Sequence, residues 1–376
     1  MATKRRANSE GTIVKRADGR WMAMLTLPGG KRRAFYGHTQ AEALKKMDKS
    51  KRNLQDGLPL PPERVNLANY LARWLEDSVK PTLKPYTYQS YETQVRRHIS
   101  PELGRIRLAR LSPQDIQGLL NRKRESGLSA RSVQYIHAVL RRALWQAERW
   151  GFVSRNVARL VTPPRVSRPE VHPLMPTEVK MLLNALEGDR QSALYTVALA
   201  VGLRQGEALG LRWQDVDLET GLLSIRFSLQ RVEGQTVLAE TKTEKSRRTI
   251  KLPQMCIAAL RLHKDRQEFE KAIVAGAWQD QWGLVFTKED GSPLSRYAVT
   301  RRFQRILSEA GIDKHRFHDL RHTCATLLLA AGVPLKVVQE TLGHTLFSTT
   351  ADIYSHVLPT LMDDAATKMD TILLEA

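Results

Sequence analysis

Four stretches in the second half of the chain carry side chains whose types and order could do chemistry. Arg204 stands in Gly202-Leu203-Arg204-Gln205-Gly206-Glu207, on an otherwise apolar helical stretch (Ala198, Leu199, Val201, Leu209, Leu211). Lys242 stands in Thr241-Lys242-Thr243-Glu244-Lys245-Ser246-Arg247-Arg248, between two strand-like runs. His318 and Arg321 open a second apolar helix, in His318-Asp319-Leu320-Arg321-His322. His344 follows Leu342-Gly343, and Tyr354 lies ten residues further on. Alone, each pattern is weak, since an arginine at a helix start is usually a surface ion pair and His-x-x-Arg recurs by chance. Together they offer two Arg, one Lys, two His and one Tyr, with no set of carboxylates suited to holding a metal.

That inventory suits phosphoryl transfer without a metal or other cofactor. A phosphodiester carries one negative charge, which grows in the pentavalent transition state. Two planar guanidinium forks can hold its non-bridging oxygens and supply the electrostatic stabilisation a metal ion gives elsewhere. A tyrosine oxygen can attack phosphorus and store the bond energy as a phosphotyrosine ester. A lysine can protonate the leaving sugar oxygen, and a histidine can accept the tyrosine proton.

These residues need elements to position them. Proline-rich Leu58–Pro62 and 163–169 read as stiff linkers, giving three segments: 1–57, 63–162 and 171–376. The first holds three strand-like runs, 11–15, 20–27 and 32–37, split by Asp18-Gly19 and Pro28-Gly29-Gly30 turns. A helix follows from Thr39 to Gln55, with Ala41, Leu44 and Met47 towards the sheet. The second segment reads as an all-α bundle, with helices at 65–79, 86–99, 112–126 and 129–150, and with Trp74 and Trp145 in its core. The third is mixed α+β. Helices are expected at 177–186 and 192–211, strands at 222–229, 236–239 and 248–252, then helices at 254–275, 296–310, 319–331, 335–342 and 349–356.

Charge is distributed unevenly over the 376 residues. Of a net +20, residues 1–55 hold 14 Lys+Arg against 4 Asp+Glu, and residues 56–166 hold 19 against 9. The remaining residues hold 26 of each, so the excess lies wholly in the first 166. A polyanion such as nucleic acid fits this best, because each cation that neutralises a phosphate releases condensed counterions. Lys15, Arg16, Arg20, Lys31, Arg32 and Arg33 cluster at strand ends and turns, where a β-ribbon can enter a major groove. Arg96, Arg97, Arg131 and Arg141 lie on helices of the second segment. Two cysteines, Cys256 and Cys324, make no disulfide framework or zinc motif. No apolar run reaches the roughly 18 residues of a membrane span, and no signal peptide is visible, so a secreted or membrane protein is not expected.

The ordered set Arg204, Lys242, His318-x-x-Arg321, Leu342-Gly343-His344 and Tyr354 resembles the tyrosine recombinase (lambda-type integrase) family, and the likeness extends over nearly the whole chain. The resemblance implies that Arg204 and Arg321 clamp the scissile phosphate and that Lys242 on a β-hairpin is the general acid, with Lys245 as the alternative. It makes His318 a proton acceptor, His344 a hydrogen-bond donor to the phosphate, Tyr354 the nucleophile, and Glu207 a support for Arg204. It further implies an arm-site-binding domain at 1–57, a core-site-binding domain at 63–162 and a catalytic domain at 171–376. The expected partners are double-stranded core and arm attachment sites, three further protomers on two duplexes, a DNA-bending host factor and an excision factor. The expected setting is the cytoplasm and nucleoid of a bacterial host, integrating or excising a phage or mobile element. A type IB topoisomerase, a chromosome-dimer resolvase and a non-enzymatic DNA-binding regulator are the rival readings.

Overall fold

The structure, a computed structural model, describes residues 12–27, 30, 32–55, 65–167, 172–241, 247–343, 369–370 and 373–374. It divides into two compact units, Met1–Ser167 and Arg168–Ala376. Lys31, the 58–62 linker, Lys242, Lys245, His344, Tyr354 and the 349–356 helix expectation lie outside the described residues.

The first unit opens with an antiparallel sheet of β1 (Thr12–Lys15), β2 (Trp21–Thr26) and β3 (Arg32–Gly37), in that order. Helix α1 (Gln40–Gln55) covers one face, with Thr39 Oγ1 accepting from the Glu42 amide at 3.2 Å. Ala23, Leu25, Phe35, Ala43 and Met47 form this part's own core. Ala43, not Ala41, takes the inward position: it lies four residues before Met47 on one helical face, whereas Ala41 is exposed.

The rest of the unit is helical: α2 (Leu67–Trp74), α3 (Pro85–Gln94), α4 (Ser100–Leu103), α5 (Pro113–Glu125) and α6 (Ala130–Arg149). Helices α2 and α3 each run on into a π-helical turn, Leu75–Val79 and Val95–Ile99. The caps form as the sequence predicts. Ser112 and Asp115 make a capping box on α5, and Ser129 caps α6. Leu67, Tyr70, Leu71, Trp74 and Leu75 pack with α6 in a core separate from that of the sheet. Trp145 departs from expectation. It lies one residue past buried Leu144, about 100° around α6 from the core stripe, and is 39% exposed beneath the Arg149 guanidinium.

The second unit begins with α7 (Pro176–Ala185), α8 (Ser192–Val201) and α9 (Gln205–Leu209). Helix α8 is buried almost all round, as its predominantly apolar sequence requires. The helix predicted over 192–211 is interrupted at Gly202, whose φ of +65° is left-handed. A β-carbon there would lie 2.3 Å from Leu342 Cδ2, so no other residue fits the turn without displacing it. Arg204 therefore caps α9 instead of riding on a continuous helix.

The predicted strand 222–229 is likewise two strands in two sheets. β4 (Val216–Asp217), β5 (Leu222–Ile225) and β8 (Arg248–Lys251) form one sheet, in the order β4-β5-β8. β6 (Phe227–Val232) and β7 (Gln235–Glu240) form a separate hairpin, turning at Glu233 and Gly234, both with positive φ. The strands on either side of Lys242, β7 and β8, thus do not pair with each other. Helices α10 (Gln254–Val274), α11 (Arg296–Glu309), α12 (Asp319–Ala330) and α13 (Leu335–Leu342) follow.

Candidate active site

The end of α13 gathers the site. A helix leaves its last carbonyls without intrahelical donors, and the aligned peptide dipoles make that end negative. Here three consecutive carbonyls each receive an arginine. Arg248 Nε donates to Thr341 O at 2.6 Å, Arg321 Nη2 to Leu342 O at 2.5 Å, and Arg204 Nη2 to Gly343 O at 3.2 Å. Two arginines separated by 117 sequence positions, Arg204 and Arg321, thereby meet at adjacent peptide units. Arg321 Nη1 also donates to Gly202 O at 2.7 Å, so the left-handed turn after α8 supplies the fourth acceptor.

Glu207 balances part of this charge. It is 5% exposed and accepts from Arg204 Nη1 at 2.6 Å, from the Arg204 amide at 3.1 Å and from Arg248 Nη2 at 3.1 Å. Burial alone would raise its pKa, but Arg248 and Arg204 outweigh it and hold the carboxyl below its ordinary range. Among the described residues, three guanidinium groups against one carboxylate leave the pocket positively charged, as a site for an anionic phosphate requires. Arg321 is 1% exposed and has no carboxylate at ion-pair distance among the described residues. Burial, with Arg204 adding repulsion, pulls its pKa down to about 9, which still leaves it protonated at neutral pH.

His318 sits at the N-cap of α12 with its side chain open to solvent. Protein crowds the ring from behind, and this desolvation leads the causes that lower its pKa, followed by His322, Arg321 and Arg204; together they bring it to about 4. The exposed face works against this desolvation and Asp319 favours imidazolium, but the neighbouring arginines push in the same direction as the crowding. The ring of His322 meets it edge-on with centroids 4.9 Å apart, and buried His322 Nδ1 has no hydrogen-bond partner among the described residues. A neutral imidazole beside two arginines can accept a proton. Among the described residues no group of three His, Cys, Asp or Glu side chains could hold a metal.

The structure thus brings together Arg204, Glu207, His318 and Arg321. It adds Arg248, which the sequence reading passed over. Its signal was strand alternation: Ile250 is buried in β8, and the residue two before it faces the same way. Cys324, 3% exposed, packs behind the site with Sγ 3.4 Å from Ala200 O, its thiol pushed up to about 12 by burial.

In the first unit Lys15, Arg16, Arg20, Arg32, Arg96, Arg97, Arg131 and Arg141 are exposed and Arg33 half-buried. Several are partly engaged. Arg16 and Arg20 share Asp18 and both lie over the Tyr36 ring, and Arg96 pairs with Glu92 at 3.0 Å.

The family model described as "Phage integrase family" matches residues 173–360, and that of "Phage integrase, N-terminal SAM-like domain" matches residues 66–124. The chain belongs to the phage integrase family. As a tyrosine recombinase it breaks and rejoins DNA strands. A XerC-like tyrosine recombinase of Caldanaerobacter subterraneus is 31% identical over 361 residues, covering 91% of this integrase and 92% of that protein. An integrase of Streptomyces ambofaciens is 31% identical over 395 residues, covering 99% and 98%. A lambda integrase tetramer bound to a Holliday junction has a subunit that matches with a TM-score of 0.55 at 21% identity, covering 92% of this integrase and 96% of that chain. At that identity the likeness is one of fold.

Proposed function

We propose that this integrase cleaves DNA through a 3′-phosphotyrosine formed on Tyr354, with Arg204 and Arg321 clamping the scissile phosphate. The observation that carries this reading is the positive pocket at the end of α13, built around an arginine with no carboxylate at ion-pair distance among the described residues. Arg204 keeps 37% of its side chain exposed, so its fork is open to an arriving anion. His318 accepts the tyrosine proton, His344 donates to a phosphate oxygen, and Lys242, or Lys245 beside it, protonates the leaving 5′ oxygen. His344 is the next residue in sequence after Gly343, whose carbonyl accepts from Arg204, and this adjacency supports its assignment. Glu207 supports Arg204 without reaching the phosphate.

Residues 1–57 read arm-type sites and 63–162 bind core-type sites, a division supported by the separate cores of the two parts. Four protomers act on two duplexes, with the lambda integrase tetramer as the precedent in fold. A DNA-bending host factor and an excision factor set direction, and the enzyme works at the nucleoid in a bacterial cytoplasm on a phage or mobile element. Exposed Met369, Leu373 and Leu374 suit a C-terminal segment that reaches a neighbouring protomer.

A nicked suicide substrate tests the chemistry. The intact protein should trap itself on the 3′ phosphate, in EDTA as well as without it, while Tyr354→Phe should bind the same DNA and trap nothing. An adduct at normal yield on Tyr354→Phe would remove the assignment, and complete loss in EDTA would replace it with metal-dependent cleavage.

A further inference from the structure

Helix α10 is apolar on two opposite faces. Cys256, Ile257, Leu260, His263 and Gln267 are buried in the unit's core. On the far side Met255, Leu262 and Phe269 recur every seven residues and are 46%, 67% and 67% exposed. Ala258, Asp265 and Ala272 fall between them and are exposed too, and Ile273 beside them is 67% exposed. A surface helix ordinarily turns polar residues outward. Apolar side chains at alternating spacings of three and four residues are instead the seam of a coiled coil. Five of the six seam positions are apolar.

We propose that this face pairs with α10 of a second copy of the chain, antiparallel. The seam is complementary to itself in that direction. About a two-fold axis near residues 263 and 264, Met255 meets the partner's Ala272, Phe269 meets the partner's Ala258, and Leu262 meets the partner's Asp265, a polar seam position that fixes register at a cost in stability. Each large side chain faces a small or short one. The same axis sets Arg261 beside the partner's Glu268, twice by symmetry. A parallel pair would instead stack Phe269 on the partner's Phe269 and bring Arg261 against the partner's Arg266, like charge on like.

In the single chain Arg261 donates to Glu219 at 3.0 Å, but both groups are exposed, and such a pair is worth little and exchanges readily. Three heptads with two alanines and one aspartate bury less than about 1,200 Å² in all, the range of weak, reversible contacts. The pairing is independent of the catalytic assignment, because no seam residue belongs to the site.

Sedimentation velocity on the full chain without DNA, across the micromolar range, tests it. The wild type should show a reversible monomer–dimer equilibrium. Leu262→Glu with Phe269→Glu should be monomeric throughout, with an unchanged thermal melt. Arg261→Glu alone should weaken association at least tenfold, and adding Glu268→Arg should restore it. These last variants alter only exposed side chains, so a folding failure of the first does not blunt the test. A wild type that stays monomeric, a dimer that survives Leu262→Glu with Phe269→Glu, or charge reversals without the loss and recovery would each overturn the proposal.

Discussion

Arg321 holds a full positive charge in a place from which water is almost excluded, and among the described residues its hydrogen bonds go to backbone carbonyls, with Glu207 helping at longer range. Such a group destabilises the free protein and is stabilised when a phosphate arrives, which is how a site favours a growing anion. Arg321→Lys and Arg204→Lys should therefore each lower single-turnover cleavage at least about a hundredfold, with core-site binding changed far less, because an ammonium cannot span two phosphate oxygens. Arg248 differs: it is 7% exposed and tied to Glu207 and Thr341, so its loss should first appear as instability. Arg248→Met should cost about 3 kcal/mol in urea melts by leaving a buried carboxylate short of a partner, and adding Glu207→Gln should recover part of that. His318 gives a pH signature. Its folded pKa near 4 lies below the unfolded value near 6.5, so the unfolded chain binds the extra proton between them. Stability from this group is complete above pH 6.5 and is lost as pH falls towards 4. A bound phosphate favours the imidazolium, so the His318 ring resonance should titrate well below 6.5 in the free protein and move upward on DNA. An unshifted value in the free protein would remove the crowding argument.

At the scale of elements, the site depends on where helices stop. Gly202 ends α8 in a left-handed turn, passes under Leu342 and offers its carbonyl to Arg321, so one residue sets the approach of α8, α13 and the arginine together. Gly202→Ala would impose both a forbidden contact and a strained φ. It should cost at least 1–3 kcal/mol, and less than additively when combined with Leu342→Ala, measured as a double-mutant cycle in urea. The same stop shows what the sequence could and could not convey. Capped helices such as α5 and α6 were legible because Ser112, Asp115 and Ser129 act on their own neighbours. The α8 break was hidden because the stretch from Ala193 to Leu203 is almost wholly apolar, and its single glycine, Gly202, reads as a tolerated helical residue. Strand 222–229 hid its switch of sheets at Arg226 for a similar reason, since partner choice is made by distant strands. Arg204, Glu207, His318 and Arg321 were legible as an ordered set of residue types. Arg248 was not, because its partners Glu207 and Thr341 lie 41 and 93 residues away and only burial separates it from the exposed Arg247 beside it.

For the molecule as a whole, charge divides the labour. Residues 1–57 hold 14 Lys+Arg against 5 Asp+Glu, while the unit that carries the catalytic candidates is close to neutral. A nearly neutral catalytic half adds little long-range attraction for a polyanion, so most of the non-specific affinity should come from the basic half. A chain starting near Pro62 keeps the helical part of the first unit and every catalytic candidate, and the helical core shares no residue with that of the sheet. It should bind and cleave core-type duplexes, lose binding to arm-type duplexes, and lose most integration on full attachment DNA. Each phosphate contact removed should flatten the slope of log K against log salt by about 0.9, so the truncated chain's slope should be shallower by the number of contacts residues 1–57 make. Gel shifts with separate arm and core duplexes over a salt series measure both quantities. If the truncated chain integrates as well as the full one, the amino-terminal sheet is not an arm reader, and the enzyme works as a two-domain recombinase whose basic first segment serves another purpose.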